Sequence, residues 1–413
     1  MALGNDNDAA SAGRQAPREL GVTGEAQASW GQQAPWDQPA FWGQQVLGDQ
    51  QVPDSRQAPD SQQTPRELTH QVMVGEVPLG GGAPVAVQSM LAMPTSAVQG
   101  CLAKIDQLAQ AGCEIIRVAI PSRAQLGAFG RICQDSVLPV VADIHFDHRL
   151  AIAAVELGAA KLRINPGNIG SWDKVDAVID AAGASGIPIR IGVNAGSLSD
   201  RYAERTDLTQ PQKLVGSALE FVEHFEARGF DDLVLAAKAH DVRTTVETYR
   251  LLSRELPHIP LHIGVTEAGT AFQGTVKSAA ALGALLLDGI GDTLRVSLTA
   301  DPLEEVRVAW ELLAACGLRR LSPELISCPT CGRCQVDLIG LATQVERRLA
   351  QLRKPLSVAV MGCVVNGPGE ARDADVGVAF GRGTAQLFAK GKVIRTVDET
   401  QVLDALFEVI GEL

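Results

Sequence analysis

The chain has 413 residues, 46% of them hydrophobic and 20% charged, enough apolar material for one large or two ordinary domains with real cores. Its 36 Lys and Arg stand against 48 Asp and Glu, a net charge of −12; this excludes a general nucleic-acid or anionic-membrane binder and requires any anionic ligand to be held by local positive charge. The longest strongly apolar runs, such as 279–287, fall short of the about 20 residues that span a bilayer, and no basic-then-apolar signal opens the chain. A soluble cytoplasmic protein is expected, without a membrane or nucleic-acid partner.

Residues 1–65 are rich in Gln, Pro, Gly, Ala and Asp, contain no Lys and carry short irregular repeats, with Trp-Gly-Gln-Gln at both 30 and 42. This composition predicts a disordered N-terminal extension. Its Trp30, Trp36 and Trp42 fit either a partner-docking motif or a biased tail with no site.

From about residue 84 short β-branched runs alternate with longer Ala/Leu-rich amphipathic stretches, the pattern of βα units. Strands are predicted at 84–90, 114–120, 139–146, 161–166, 188–194, 232–238, 260–266 and 292–298. Eight consecutive units match a (β/α)8 TIM barrel, expected over 66–320, better than an open doubly wound sheet. The α/β barrel closes near Gly317. A small α+β domain follows over 321–413, with a helix at 336–352, strands at 356–361 and 376–380, a hairpin at Lys390 and Gly391, and a terminal helix.

Residues two apart on a strand share a face, and barrel sites sit at the carboxyl ends of the strands. Asp143 with His145, Arg163 with Asn165, Arg190 with Asn194, and Arg295 with Ser297 therefore point inward, joined by Arg117, Lys238 and Glu267. A basic residue inside a strand buried on both faces is costly unless it is neutralised. Each one taken alone fits an ion pair with a wall carboxylate or a position facing the outer helices. For Arg117, Arg163, Arg190, Lys238 and Arg295 together, Asp143 and Glu267 are the only obvious inward carboxylates, and the excess calls for an anion. A small ligand with two phosphoryl groups matches guanidinium forks.

Cys328, Cys331 and Cys334 are spaced at two-residue gaps, and Cys363 follows the next predicted strand. Cys-x-x-Cys with a distant thiol suits four-thiolate zinc or an iron–sulfur cluster. Glu370, beyond a Gly/Pro loop, adds a hard, exchangeable donor. Cys101, Cys113, Cys133 and Cys316 read as core thiols.

Val-Gln-Ser-Met at 87, Ala-Asp-Ile-His-Phe at 142, Arg-Ile-Asn-Pro-Gly-Asn-Ile-Gly at 163 and Arg-Ile-Gly-Val-Asn at 190 continue into Gly-Val-Thr-Glu-Ala-Gly at 264 and Gly-Ile-Gly-Asp-Thr-Leu-Arg-Val-Ser-Leu at 289. With Cys-Pro-Thr-Cys-Gly-Arg at 328 and Met-Gly-Cys-Val-Val-Asn-Gly-Pro-Gly-Glu-Ala at 361, these segments resemble, in order from about residue 66, the two-domain bacterial 4-hydroxy-3-methylbut-2-enyl diphosphate synthase family of the non-mevalonate isoprenoid pathway. The resemblance implies reductive ring opening and dehydration of 2-C-methyl-D-erythritol 2,4-cyclodiphosphate, with flavodoxin or ferredoxin as electron donor. It implies one [4Fe-4S] cluster per chain on Cys328, Cys331, Cys363 and Glu370, with no ligand role for Cys334. It further implies a substrate site of Arg117, Asp143, His145, Arg163, Asn165, Arg190, Asn194, Lys238, Arg295 and Ser297, with Glu267 handling protons and Glu370 also catalytic. A head-to-tail homodimer would set each cluster over its partner's barrel. The N-terminal extension and His70, where a residue such as Arg is more usual, depart from the family pattern.

Overall fold

The barrel strands are short apolar runs broken by inward polar residues, and the helix that follows starts on a side-chain cap at several junctions. Asp147, Asp241 and Asp301 accept from the backbone N–H of Arg149, Thr244 and Leu303, and Thr209 forms a capping box with Gln212. The computed structural model describes residues 63–363, 369 and 372–413; residues 1–62 of the predicted extension, with its tryptophans, and Glu370 lie outside the described residues, while Pro65, the last residue of that extension, opens a short helix, Pro65–Leu68.

A three-residue hairpin, β1 (Val72–Val74) and β2 (Val77–Leu79), precedes the barrel. The barrel strands are β3 (Ala86–Met90), β4 (Ile115–Ala119), β5 (Val140–Asp143), β6 (Lys161–Ile164), β7 (Ile189–Asn194), β8 (Leu233–Lys238), β9 (His262–Ile263) and β10 (Thr293–Leu294). All pair in parallel in the order β8-β7-β6-β5-β4-β3-β10-β9, and a Leu235–Leu261 bridge joins the two ends. The eight-stranded TIM barrel expected from the sequence is present, with a helix after each strand. The last helix, Pro302–Ala315, ends before Gly317, whose φ is +68°.

The predicted strand bounds need correction at the mouth. β5 ends at Asp143, which leaves His145 in a loop; Pro166 opens a short helix; β9 and β10 are two residues each, not seven. β9 stops before Gly264, a residue that weakens a strand, and the segments after β9 and β10 are no longer strand. The hairpin, unforeseen in the sequence, closes the foot: Val72, Val74 and Leu79 pack on Ala86, Ile115, Val141 and Val234. By alternation those barrel residues are the lowest inward positions, and Val87, Ile116, Ala142, Leu162, Ile189 and Leu235 face the outer helices.

Beyond the barrel lies a mixed sheet ordered β11 (Glu324–Ser327), β12 (Ser357–Met361), β13 (Val376–Phe380), β14 (Thr384–Ala389) and β15 (Lys392–Asp398), parallel among the first three and antiparallel thereafter. The β14–β15 hairpin turns at Lys390 and Gly391, both with positive φ. Helices Leu338–Leu349 and Val402–Glu412 cover one face through Val345, Leu349, Leu406 and Ile410. Among the described residues no helix is long and apolar enough to cross a membrane.

Candidate active site

The barrel interior carries two tiers of polar side chains above the apolar foot. The lower holds Gln88, Lys161, Arg190, His262 and Thr293, all buried. The upper holds Met90, Arg117, Asp143, Arg163, Lys238 and Arg295. Side-chain exposure rises from 2% at Asp143 and 6% at Arg163 through 12% at Arg117 and 17% at Arg295 to 48% at His145. Solvent therefore reaches the upper tier from the carboxyl ends of the strands.

Asp143 is the hub of the upper tier. Its Oδ1 accepts from Arg163 Nη1 at 3.4 Å, and its Oδ2 lies 3.8 Å from Arg117 Nε and 3.3 Å from His145 Nε2. Burial alone would raise the Asp143 pKa, yet the Arg117 charge, the His145 hydrogen bond and the Arg163 charge together hold it well below the ordinary carboxylate range. Arg117 is pulled down to about 10 by burial, against the Asp143 charge and with Arg295 and Arg163 adding repulsion. Its Nε and Nη2 lie 3.1 and 2.7 Å from the Met90 sulfur, a weak acceptor that balances no charge.

The second interior carboxylate is Glu305, not Glu267. Glu305, in the first turn of helix Pro302–Ala315, is buried, lies 3.3 Å from Arg295 Nη2 and accepts from the Leu298 N–H at 3.0 Å. The sequence hides it, because an acid in the first turn of a helix is ordinary. Glu267 instead stands exposed in the loop after β9, with φ at +52°. A non-glycine residue held there stores about 1–3 kcal/mol of strain.

Two carboxylates do not satisfy the cations. Arg190 Nε and Nη1, Arg163 Nε and Arg295 Nε are buried with no hydrogen-bond partner among the described residues, as are Gln88 Nε2 and His262 Nδ1. Lys238 Nζ lies 3.4 Å from His262 Nε2; burial, then the Arg190 and Arg117 charges, pull its pKa well down. Room for these side chains comes from two inward glycines. A Cβ on Gly192 would stand 2.8 Å from Arg163 Nε, and one on Gly264 would stand 2.8 Å from Lys238 Nζ. Sequence reading missed Lys161 and His262, although Lys161 shares the alternating face of Arg163.

Of the remaining expected residues, Asn165 is committed to the scaffold: its amide donates to Ser197 Oγ at 2.7 Å and its Oδ1 caps Gly167. Asn194 and Ser297 stand partly buried at the mouth.

In the C-terminal sheet, Ser327 of β11 lies level with Val360 of β12, so Cys328 and Cys363 leave neighbouring parallel strands at one edge, where strands run about 4.8 Å apart. The Gly362 N–H donates to Cys328 Sγ at 3.3 Å, and the loop bearing exposed Cys331 returns through the Gln335 N–H to the Gly362 carbonyl at 3.1 Å. Cys334 turns its thiol to the Val336 carbonyl at 3.3 Å. Among the described residues no three His, Cys, Asp or Glu side chains are drawn together as a formed metal site. The donor chemistry still suits a cluster: soft thiols from two strand ends and one loop, with a backbone N–H already directed at sulfur.

Fold and side chains together define a TIM-barrel enzyme with a thiol-bearing C-terminal domain. The family model described as the GcpE TIM-barrel domain matches residues 69–310, and that described as the GcpE protein C-terminal domain matches residues 324–412. The chain belongs to the GcpE family. It is 52% identical over 345 residues to the 4-hydroxy-3-methylbut-2-en-1-yl diphosphate synthase (flavodoxin) of Geobacter sulfurreducens, covering 84% of this chain and 98% of that one. To the protein of the same name from Salinispora arenicola it is 53% identical over 344 residues, covering 83% and 88%. Among solved structures, 7,8-dihydropteroate synthase from Vibrio fischeri ES114 overlays at a TM-score of 0.45 with 14% identity, over 60% of this chain and 99% of that one, a likeness that carries no assignment.

Proposed function

We propose that this chain makes 4-hydroxy-3-methylbut-2-en-1-yl diphosphate by reductive ring opening of 2-C-methyl-D-erythritol 2,4-cyclodiphosphate, in the cytoplasm, as a step of isoprenoid biosynthesis with flavodoxin as donor. The observation that carries the reading is the set of buried guanidinium N–H groups at Arg163, Arg190 and Arg295 that have no partner among the described residues. Two phosphoryl groups would satisfy those donors and balance the charge that Asp143 and Glu305 leave over. Asp143 tethers Arg117 and Arg163 so that their forks face the ligand without being neutralised one to one. Lys238 and the mouth residues Asn194 and Ser297 complete the grip, and His145 holds the rim of Arg163 at 3.4 Å. Glu267, exposed and strained at the mouth, holds the proton that the departing hydroxyl takes as water.

Cys328, Cys331, Cys363 and Glu370 would hold a [4Fe-4S] cluster, which when bound supplies electrons singly to a two-electron reduction. A head-to-tail homodimer, of twice 43.6 kDa, would cover each barrel with the partner's C-terminal domain.

The test is anaerobic incubation of iron-loaded protein with reduced flavodoxin and the cyclodiphosphate, followed by mass spectrometry. Appearance of the linear diphosphate supports the reading; iron-loaded protein that leaves the cyclodiphosphate intact overturns it.

A further inference from the structure

Lys161 lies one inward position below Arg163 on β6, about 6.6 Å deeper along the strand. It is fully buried, and among the described residues its one hydrogen bond is to Gln88 Oε1 at 3.4 Å and no carboxylate pairs with it. Gln88 of β3 bonds it, and the charged groups that act on it are Arg190 of β7, Arg117 of β4 and His262 of β9; Asp143 of β5, Arg163 of β6, Lys238 of β8 and Arg295, just past β10, belong to the tier above, with Glu305 on Arg295. Tyr249 is occupied by the His262 carbonyl at 2.6 Å, and Asp292 at the foot by the Leu261 N–H and Thr69.

The charge balance of this interior makes the lysines the groups that yield, and Lys161 is the deeper of the two. Guanidinium keeps its proton, whereas a buried lysine gives its proton up readily. Four arginines against Asp143 and Glu305 already leave two positive charges unbalanced before either lysine is counted. Burial, then the charges of Arg190 and Arg117, push the Lys161 ammonium well below its ordinary range. Gln88 can serve either form of the amine, since its amide offers an acceptor to an ammonium and, turned over, a donor to a neutral lone pair.

We propose that Lys161 is a proton-linked positioning residue: it stands uncharged in the empty barrel and takes up a proton when a diphosphate binds in the tier above, adding its charge to the grip from below. This rests on the reading of the substrate as a cyclic diphosphate. That ligand has only strongly acidic phosphoryl protons, so any proton exchanged near pH 8 belongs to the protein. Affinity then falls as pH rises, by up to tenfold per unit between the pKa values of the free and occupied states.

The experiment is anaerobic titration calorimetry of the iron-loaded, full-length protein with 2-C-methyl-D-erythritol 2,4-cyclodiphosphate at pH 8, in buffers of different ionisation enthalpy. Wild type is expected to take up about one proton per ligand. Lys161→Met is expected to bind within about tenfold of wild type while uptake falls toward zero, and Lys161→Gln gives the same comparison should the first variant fold poorly. Wild type that binds without uptake, or variants that bind with undiminished uptake, overturn the inference and leave the proposed function standing. Wild type that does not bind the cyclodiphosphate overturns both.

Discussion

At Asp143 one carboxylate serves two arginines, and the cost of removing it follows from what it leaves behind. Arg163 at 3.4 Å and Arg117 at 3.8 Å would remain buried and unpaired in Asp143→Asn, a loss of about 3–5 kcal/mol near neutral pH. The sign with pH is fixed by the depressed folded pKa. The stabilisation is fully present above about pH 4, the unfolded value, and is lost as pH falls through the lower folded one. Urea denaturation of wild type and Asp143→Asn should therefore give curves that converge as pH drops below 4; a constant gap would contradict the assigned charge state. At Gly192 the argument is steric. Gly192→Ala puts a methyl 2.8 Å from Arg163 Nε, so Arg163 must shift. Michaelis kinetics should show KM raised about tenfold, roughly 1.4 kcal/mol, with melting temperature little changed. Sequence reading reached Arg117, Asp143, Arg163 and Arg190 because alternation and charge mark them. It did not reach Glu305, whose carboxylate enters the barrel from a helix that no strand pattern can reveal.

Among elements, the barrel strands were legible as short apolar runs, rich in Val and Ile in β4, β5 and β7, that met a polar strand end. The β1–β2 hairpin was not, since three-residue strands carry too little periodicity to separate from loop. Its neighbourhood holds an unusual carboxyl group: Asp292, just before β10, accepts the Leu261 N–H at 2.7 Å and the Thr69 hydroxyl at 3.2 Å. Burial pushes its pKa up to about 6, against those two hydrogen bonds. A raised folded pKa contributes stability that is fully present below about pH 4 and lost as pH climbs through 6, a swing of roughly 3 kcal/mol. Asp292→Asn removes the titration. Melting temperatures of both proteins between pH 4 and pH 7 share every other titration, so the stability of wild type relative to the variant should decline as pH rises; a difference that stays constant would show that Asp292 does not carry the effect.

For the whole molecule, the sequence marked both halves of the chemistry, cations in the barrel and thiols after it, but not the lower tier, where among the described residues Lys161 and His262 have no carboxylate partner. In the C-terminal half, Cys334 is turned to the Val336 carbonyl, so Cys334→Ser should keep iron, sulfide and turnover close to wild type. Glu370→Cys should keep iron and lose most turnover, because a fourth thiolate closes an exchangeable position. Iron analysis beside steady-state rates separates these outcomes, and loss of iron in Cys334→Ser would mean that this thiol is a ligand.

The central claim is that the barrel arginines turn their unsatisfied N–H groups to two phosphoryl groups, and Arg190, whose Nε and Nη1 both lack partners among the described residues, tests it most directly. Melting temperature, iron content and kcat/KM of Arg190→Met should be measured beside wild type. The account predicts an iron-loaded protein at least as stable as wild type, since an uncompensated buried charge is gone, with kcat/KM lower by about ten- to a hundredfold, or 1.5–3 kcal/mol. A stable, iron-loaded Arg190→Met with unchanged kcat/KM would contradict it.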